Sequence, residues 1–342
     1  MNVIITGSCG YIGSRLIELF QKKKKIKFKG IDSCFYKKIS NYPLIRKDIR
    51  DINIQDLNNF DSIIHLAALS NDPLGELDKK LTYEINYKAT VDLAKKAKKS
   101  GIKRFIFIST QSVYGISRNI NHLFKENDQN IRPITAYAKS KYLSEKKILN
   151  LASRKFTVII LRPATVHGPS NNFRSDIVLN NLISSAYVNN KILIKTDGLP
   201  YRPVIFIDDL CKIIIACLYK KSKIINKNIY NIGYKNLNLK IIEMAKLVNK
   251  NFKNSKIKIL NQINHDERSY KVNFNKAYNA FSNIVNLNKK NISNDILKIK
   301  NFLKSKKFKI NDIYGEKTNR ILRLKNLIKK KLINKQLRFF NK

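Results

Sequence analysis

The stretch Met1-Asn-Val-Ile-Ile-Thr-Gly7-Ser-Cys-Gly10-Tyr-Ile-Gly13-Ser-Arg-Leu-Ile-Glu-Leu-Phe20 decides the fold. Met1 to Thr6 is a short β-branched run, and Leu16, Ile17, Leu19 and Phe20 then cluster at helical spacing. Strand, glycine turn and helix, in that order, are the context in which three glycines mark a dinucleotide site. Gly7 permits the sharp turn, Gly10 lets a pyrophosphate approach the backbone, and Gly13 lets the helix lie close on the strand. The helix N-terminus offers free amides and a positive dipole end to the phosphates. A second mark accompanies the glycines. The next strand-like run, Ile26 to Asp32, ends in an acid 19 residues beyond Gly13, where a carboxylate accepts adenosine ribose hydroxyls.

Outward from this unit the pattern repeats. Lys22 to Lys25 close the first helix at the negative end of its dipole. Leu44 to Asp51 reads as a short strand running into a polar turn, and Asp61 to Ala68 as a strand apolar on both faces. His65 on that strand reads as a satisfied core histidine rather than a ligand. Leu81 to Ser100 gives a long helix stopped by Gly101, and Lys103 to Ser109 the fifth strand. Its end, Ser109-Thr110-Gln111-Ser112, brings hydroxyls to the carboxyl edge of the sheet, where ligands of such folds sit.

Pro133 to Ala136 opens a helix carrying Tyr137 and Lys141, which a spacing of four stacks on one face. A phenol beside an ammonium is stabilised as phenolate, so the Tyr137 pKa is expected to fall toward a range useful to a base. Phe156 to Leu161 is another buried strand. Alternation to this point predicts an α/β fold with a doubly wound parallel sheet. Beyond it the pattern changes. Val204 to Ile207, a helix capped by Asp208, and Ile229 to Ile232 read as a return to the sheet. Asp176 to Tyr187, Leu239 to Asn249, Ile292 to Leu303 and Asn319 to Ile333 read as amphipathic helices of a second, smaller α+β lobe. The last, with Leu324, Leu327, Ile328 and Leu332 on one side, reads as docked. The expected division is 1–168, with 203–234 returning, and 169–342.

Composition narrows the classes. At 342 residues the chain can bury a substantial core. No signal leader and no membrane span is expected, the longest apolar run near Ile213 being far too short. Cys9, Cys34, Cys211 and Cys217 lack metal-ligand spacing, so no metal is expected and a reduced cytoplasm fits them. The net charge of +44 raises nucleic acid as a partner. Its excess is mostly lysine, spread along the chain among many Asn and Ile residues, with no arginine-and-aromatic cluster like a stacking platform. It reads as a solvated surface, not as a specific nucleic-acid site.

The set Gly7/Gly10/Gly13, Asp32, Asp48-Ile49, His65-Leu-Ala-Ala68, Asn86, Thr110, Tyr137/Lys141 and Arg162-Pro163 resembles the extended short-chain dehydrogenase/reductase superfamily. It looks specifically like the NAD-dependent nucleotide-sugar epimerase/dehydratase branch. The resemblance covers nearly the whole chain, including the segments around Arg174, Arg202 and Arg268. It implies a Rossmann sheet, NAD as cofactor, a nucleoside-diphosphate sugar as substrate and a homodimer. It places Gly7, Gly10, Tyr11, Ile12, Gly13, Asp32, Asp48, Ile49, Leu66, Ala67, Ala68, Asn86, Arg162 and Pro163 on the cofactor, with Lys141 on its nicotinamide ribose. Tyr137 becomes the base and Thr110 its partner on the same sugar hydroxyl. Gln111, Thr165, Arg174, Arg202 and Arg268 fall on the substrate, the last two by its diphosphate, where a guanidinium fork suits the charge.

Three departures matter. Thr165 stands where an Asn is common, His167 where a Tyr is common, and Gln111-Ser112 where the sugar dehydratases carry an acidic pair. The implied reaction is epimerisation through a transient keto sugar, of the UDP-glucose 4-epimerase type. Competing readings are a dehydratase, a reductase or dehydrogenase that releases its NAD(P) each turnover, and a nucleic-acid-binding relative that keeps only the fold. An intact Thr110, Tyr137 and Lys141 weighs against the last. NAD should bind more tightly than NADP, because Asp32 repels a 2′-phosphate at close range. Comparable dissociation constants in a fluorescence titration would remove that expectation.

Overall fold

In the computed structural model, residues 1–23, 26–36, 41–119, 121–260 and 268–340 are described. Lys24 and Lys25 at the close of the first helix lie outside them, as do residues 266 and 267 of the segment around Arg268. Seven parallel strands form the central sheet: β1 Asn2–Thr6, β2 Lys27–Asp32, β3 Leu44–Arg46, β4 Ser62–His65, β5 Arg104–Ile108, β6 Thr157–Pro163 and β7 Asn228–Ile232. Their spatial order is β7-β6-β5-β4-β1-β2-β3. The chain therefore winds outward from β1 in one direction, returns, and winds in the other. That reversal opens a crevice at the carboxyl ends of β1 and β4.

Alternation along the strands builds a core on each face. Val3 and Ile5 of β1, Ile64 of β4 and Ile106 of β5 enter one cluster. Ile4, Ile63, Phe105 and Phe107 enter the other. The continuous apolar runs in the sequence are what burial on both faces requires. His65 is fully buried, with Nδ1 2.6 Å from Thr6 Oγ1 and Nε2 2.8 Å from Thr90 Oγ1. Burial holds its pKa well below the ordinary imidazole range.

Several boundaries differ from the sequence reading for local reasons. The Tyr137 helix spans Ala136–Leu149, with Thr135 rather than Pro133 at its start; the Thr135 hydroxyl accepts from the Ala138 amide at 3.1 Å. Asp208 does not cap the helix Ile207–Tyr219, because its carboxylate is drawn to Arg15 of the first helix, 2.6 Å away. Of the two segments read as returning, Asn228–Ile232 pairs with β6 in the large sheet. Tyr201–Phe206 instead joins Thr165–His167 and Asn238–Lys240 in a separate three-stranded sheet. The C-terminal helix Arg320–Lys329 buries Leu324 and Leu327 in the core that contains Ile4 and Ile63, while Leu332 stays exposed. It is docked, and on the sheet rather than on the later elements.

One buried ion pair ties β6 to the Tyr137 helix. Arg162 Nη2 lies 2.6 Å from Glu145 Oε2, and both side chains are almost fully buried. Arg162 also donates to the Tyr114 hydroxyl at 3.0 Å. Truncating one partner of such a pair leaves an uncompensated buried charge, which typically destabilises by about 3–5 kcal/mol. Glu145→Ala should lower the unfolding free energy from urea titration by that amount, whereas a loss under ~1 kcal/mol, the range of exposed pairs, would contradict a structural role.

Candidate active site

A cavity of about 800 Å3 opens at the carboxyl edge of the sheet. One end is built from the glycine turn. Gly7 has φ +72°, and a Cβ there would lie 2.6 Å from the Ala67 amide nitrogen. A Cβ on Gly13 would lie 2.2 Å from the Gly7 carbonyl oxygen. No side chain fills this cradle, and Gly10 starts the helix without a side-chain cap, so its first amides suit an anion. Tyr11, Ile12, Asp32, Asp48, Ile49, Leu66, Ala67 and Ala68 complete the lining here. Asp32 accepts from the Cys9 amide at 3.0 Å and the Cys34 amide at 2.7 Å, and burial raises its pKa. An acceptor-only carboxylate so placed suits ribose hydroxyls.

At the middle stand Thr110, Tyr137 and Lys141, all on the cavity wall. Thr110 comes from the end of β5, and its hydroxyl hydrogen-bonds Tyr137. The Tyr137 pKa is not lowered as the spacing alone suggested. Burial pushes it up to about 12, against the pull of the Thr110 hydrogen bond. Lys141 does not offset this, because its ammonium donates to the Ile108 carbonyl at 2.8 Å and sits 4.5 Å over the Phe107 ring. Lys141 itself is the strongly perturbed group: burial lowers it to about 7, with Glu145 opposing.

The far end carries Pro163, Thr165, Arg174, Arg202 and Arg268. Arg174 pairs with Asp176 at 2.8 Å and donates to Ser70 at 3.1 Å. Arg268 pairs with Asp72 and donates to Ser112 Oγ at 2.9 Å. Arg202 donates to the Arg268 carbonyl, so the two arginines are brought together. Three expected residues are absent from the wall. Asn86 is fully buried and clamps the Leu69 backbone, Gln111 donates to the Arg162 carbonyl at 3.1 Å, and Arg162 is consumed by Glu145.

The wall also holds residues with no assigned role in the sequence reading. Asp72 accepts from Thr135 as well as Arg268. Arg320 lies 3.6 Å over the Tyr36 ring and donates to the Asn172 carbonyl at 3.0 Å, its pKa lowered to about 10 by burial. Both come from segments distant in sequence, and only an acid–Pro helix start at Asp72-Pro73 hinted at either.

A glycine cradle, a ribose-type carboxylate and a Thr-Tyr-Lys set in one cavity fit NAD. A profile of the NAD dependent epimerase/dehydratase family matches residues 3–233. The chain belongs to that family. NAD is its cofactor, as the family's name states. Family relatives include the human dTDP-D-glucose 4,6-dehydratase, 30% identical over 263 residues, or 71% of this chain and 72% of that one. The Vibrio cholerae UDP-glucose 4-epimerase is 30% identical over 234 residues, 64% of this chain and 66% of that one. A UDP-glucuronic acid 4-epimerase from Bacillus cereus, solved with UDP-glucuronic acid and NAD, shares the fold at a TM-score of 0.76 and 24% identity. The match covers 89% of this chain and 99% of that one. Among the described residues, no helix is long and apolar enough to cross a membrane.

The lysine makes a signed prediction. Its pKa is depressed from 10.5 to about 7 on folding, so the unfolded chain binds the extra proton between those values. Native stability relative to Lys141→Met should therefore rise with pH from about 7 to 10, read by urea unfolding at several pH values. A pH-independent difference would place the ammonium in a solvated environment.

Proposed function

We propose that the protein is an epimerase of a nucleoside-diphosphate sugar, of the UDP-glucose 4-epimerase kind. The observation that carries the reading is the Thr110–Tyr137–Lys141 set on the cavity wall, with Gln111 turned away beside it. In this reading 1–168 with 203–234 serve mainly the cofactor and 169–342 mainly the substrate, in a homodimer working in the cytoplasm.

Bound NAD supplies a hydride acceptor that becomes the donor on return. Tyr137 takes the proton of a sugar hydroxyl, and Thr110 holds that hydroxyl and the phenol in line. Burial in the ligand-free site opposes the phenolate this step requires, so Tyr137 has to lose its proton once NAD and substrate are in place. Lys141 contributes a donor to a ribose hydroxyl, and its charge would reach the phenol only on leaving the Ile108 carbonyl. Arg202 and Arg268 hold the diphosphate, exchanging their present partners for a stronger charge. Tyr137→Phe should lower turnover by about 10²–10⁴-fold with NAD affinity nearly unchanged. Near-normal turnover in a coupled assay would refute the base assignment.

Elimination of water needs a base for one carbon and an acid for the departing hydroxyl. The Gln111 amide neither gives nor takes a proton near neutral pH, and Ser112, a poor base by itself, has its hydroxyl 3.5 Å from Asp72 and accepts from Arg268. The carboxylate beside them, Asp72, has its oxygens engaged by Thr135 and Arg268. The expected products from UDP-, dTDP- or GDP-hexoses are an epimer pair, identified by NMR. A 4-keto-6-deoxy sugar would turn the reading to the dehydratase alternative, and its loss in Asp72→Asn would name the acid.

A further inference from the structure

Two thiols flank the carboxylate at the cofactor's ribose end, and nothing in the proposed reaction uses them. Cys9 lies inside the glycine turn and Cys34 two residues after Asp32. Their sulfurs are 3.9 Å apart. Cys34 is held in the left-handed region at φ +61°, which a non-glycine residue adopts only when its surroundings require it. That turn brings its side chain back onto Cys9. The amides of the same two residues are the donors to Asp32. Cys9 is fully buried, while Cys34 is partly exposed. The two thiols and an Asp32 oxygen lie within 4.8 Å of one another. Asp32 is already engaged by both amides, which leaves the sulfurs as the reactive pair.

We propose that Cys9 and Cys34 form a dithiol modification site that a hydroperoxide closes to a disulfide, and that closure and NAD binding exclude one another. The second half rests on Asp32 as the ribose acceptor. The chemistry balances within the site. Cys34 donates the hydrogen bond the pair shares, which holds the Cys9 thiol below its ordinary range and the Cys34 thiol above its own, so the thiolate forms on Cys9 and its proton goes to solvent, where it meets the departing hydroxide. That thiolate attacks the peroxide; the O–O bond breaks, a sulfenic acid forms and hydroxide leaves. Cys34 then attacks the Cys9 sulfur, the S–O bond breaks, and the hydroxyl leaves with the Cys34 proton as water. Two thiols are oxidised by two electrons and one peroxide becomes two waters. The same hydrogen bond keeps the proton on Cys34 until the sulfenic acid has formed, which suits Cys34 to resolve it.

Bonding the sulfurs draws the glycine turn and the Asp32 segment toward each other. The turn has little slack to absorb this, since a Cβ on Gly13 would already lie 2.2 Å from the Gly7 carbonyl oxygen and Asn172 holds the Cys9 carbonyl at 2.6 Å. The amides that orient Asp32 move with the sulfurs. The other two cysteines, Cys211 and Cys217, are fully buried on the helix Ile207–Tyr219 and serve as internal controls.

The test treats the full-length protein with hydrogen peroxide, with and without NAD, and counts thiols after denaturation. Two of four thiols should disappear, with a Cys9–Cys34 linked peptide on mapping, and a dithiol reductant should restore both. NAD affinity should fall by about tenfold or more in the oxidised protein, and saturating NAD should slow thiol loss. Cys34→Ser should abolish both the linked peptide and the effect of peroxide on affinity. Four persisting thiols, a linkage through Cys211 or Cys217, or a Cys9–Cys34 disulfide with unchanged NAD affinity would each overturn the proposal. Failure of the reduced protein to bind NAD would strike the Asp32 assignment, which the peptide map reports on separately.

Discussion

The closeness of the first helix to the first strand constrains the rest of the molecule. With no room for a Cβ between Gly13 and the Gly7 carbonyl, the helix N-terminus is pressed against the carboxyl end of β1. That contact points its amides at the crevice, sets the path by which Cys9 reaches Asp32, and leaves the Ala67-Ala68 backbone as the opposite wall. A methyl group at either glycine would collide with backbone atoms, the Ala67 amide at Gly7 and the Gly7 carbonyl at Gly13. The cavity is therefore a consequence of backbone packing before any side chain contributes chemistry.

Charge inside the cavity is handled differently from charge on the surface. A net +44 is tolerable where lysines are solvated. Within the cleft, Arg174 and Arg268 each sit against a carboxylate, Asp176 and Asp72. Among the described residues no carboxylate forms an ion pair with Lys141 or Arg320, and burial lowers both. An anionic ligand relieves exactly that imbalance, so the polarity of the site and its proposed substrate class are two views of one electrostatic fact.

Much of the fold was legible because it follows from local pattern. Apolar runs of strand length, glycines at a fixed turn and helical spacing of Tyr137 and Lys141 each depend on residues near one another in sequence. What misled was local reasoning applied to groups with distant partners. Asp208 looked like a helix cap until Arg15 was placed beside it. Arg162 and Asn86 carry a family pattern, yet one is held by Glu145 and the other by the Leu69 backbone. The Tyr137 phenol was expected to be eased by its neighbour, but desolvation outweighs a lysine turned to the Ile108 carbonyl.

The amino-acid sequence by itself determined the parallel sheet, the dinucleotide turn, the acid after β2 and the hydroxyl–phenol–ammonium set, since each is written in short-range periodicity and spacing. Tertiary structure decided which of the charged residues face the cavity. It brought Asp72 to Arg268 across 196 positions and Arg320 to the Asp32 end, and it turned Gln111 inward. It also placed Cys34 on Cys9. These are contacts between segments whose separation along the chain carries no periodic signal, and their energies depend on burial, which exists only once the sheet and its two cores have formed.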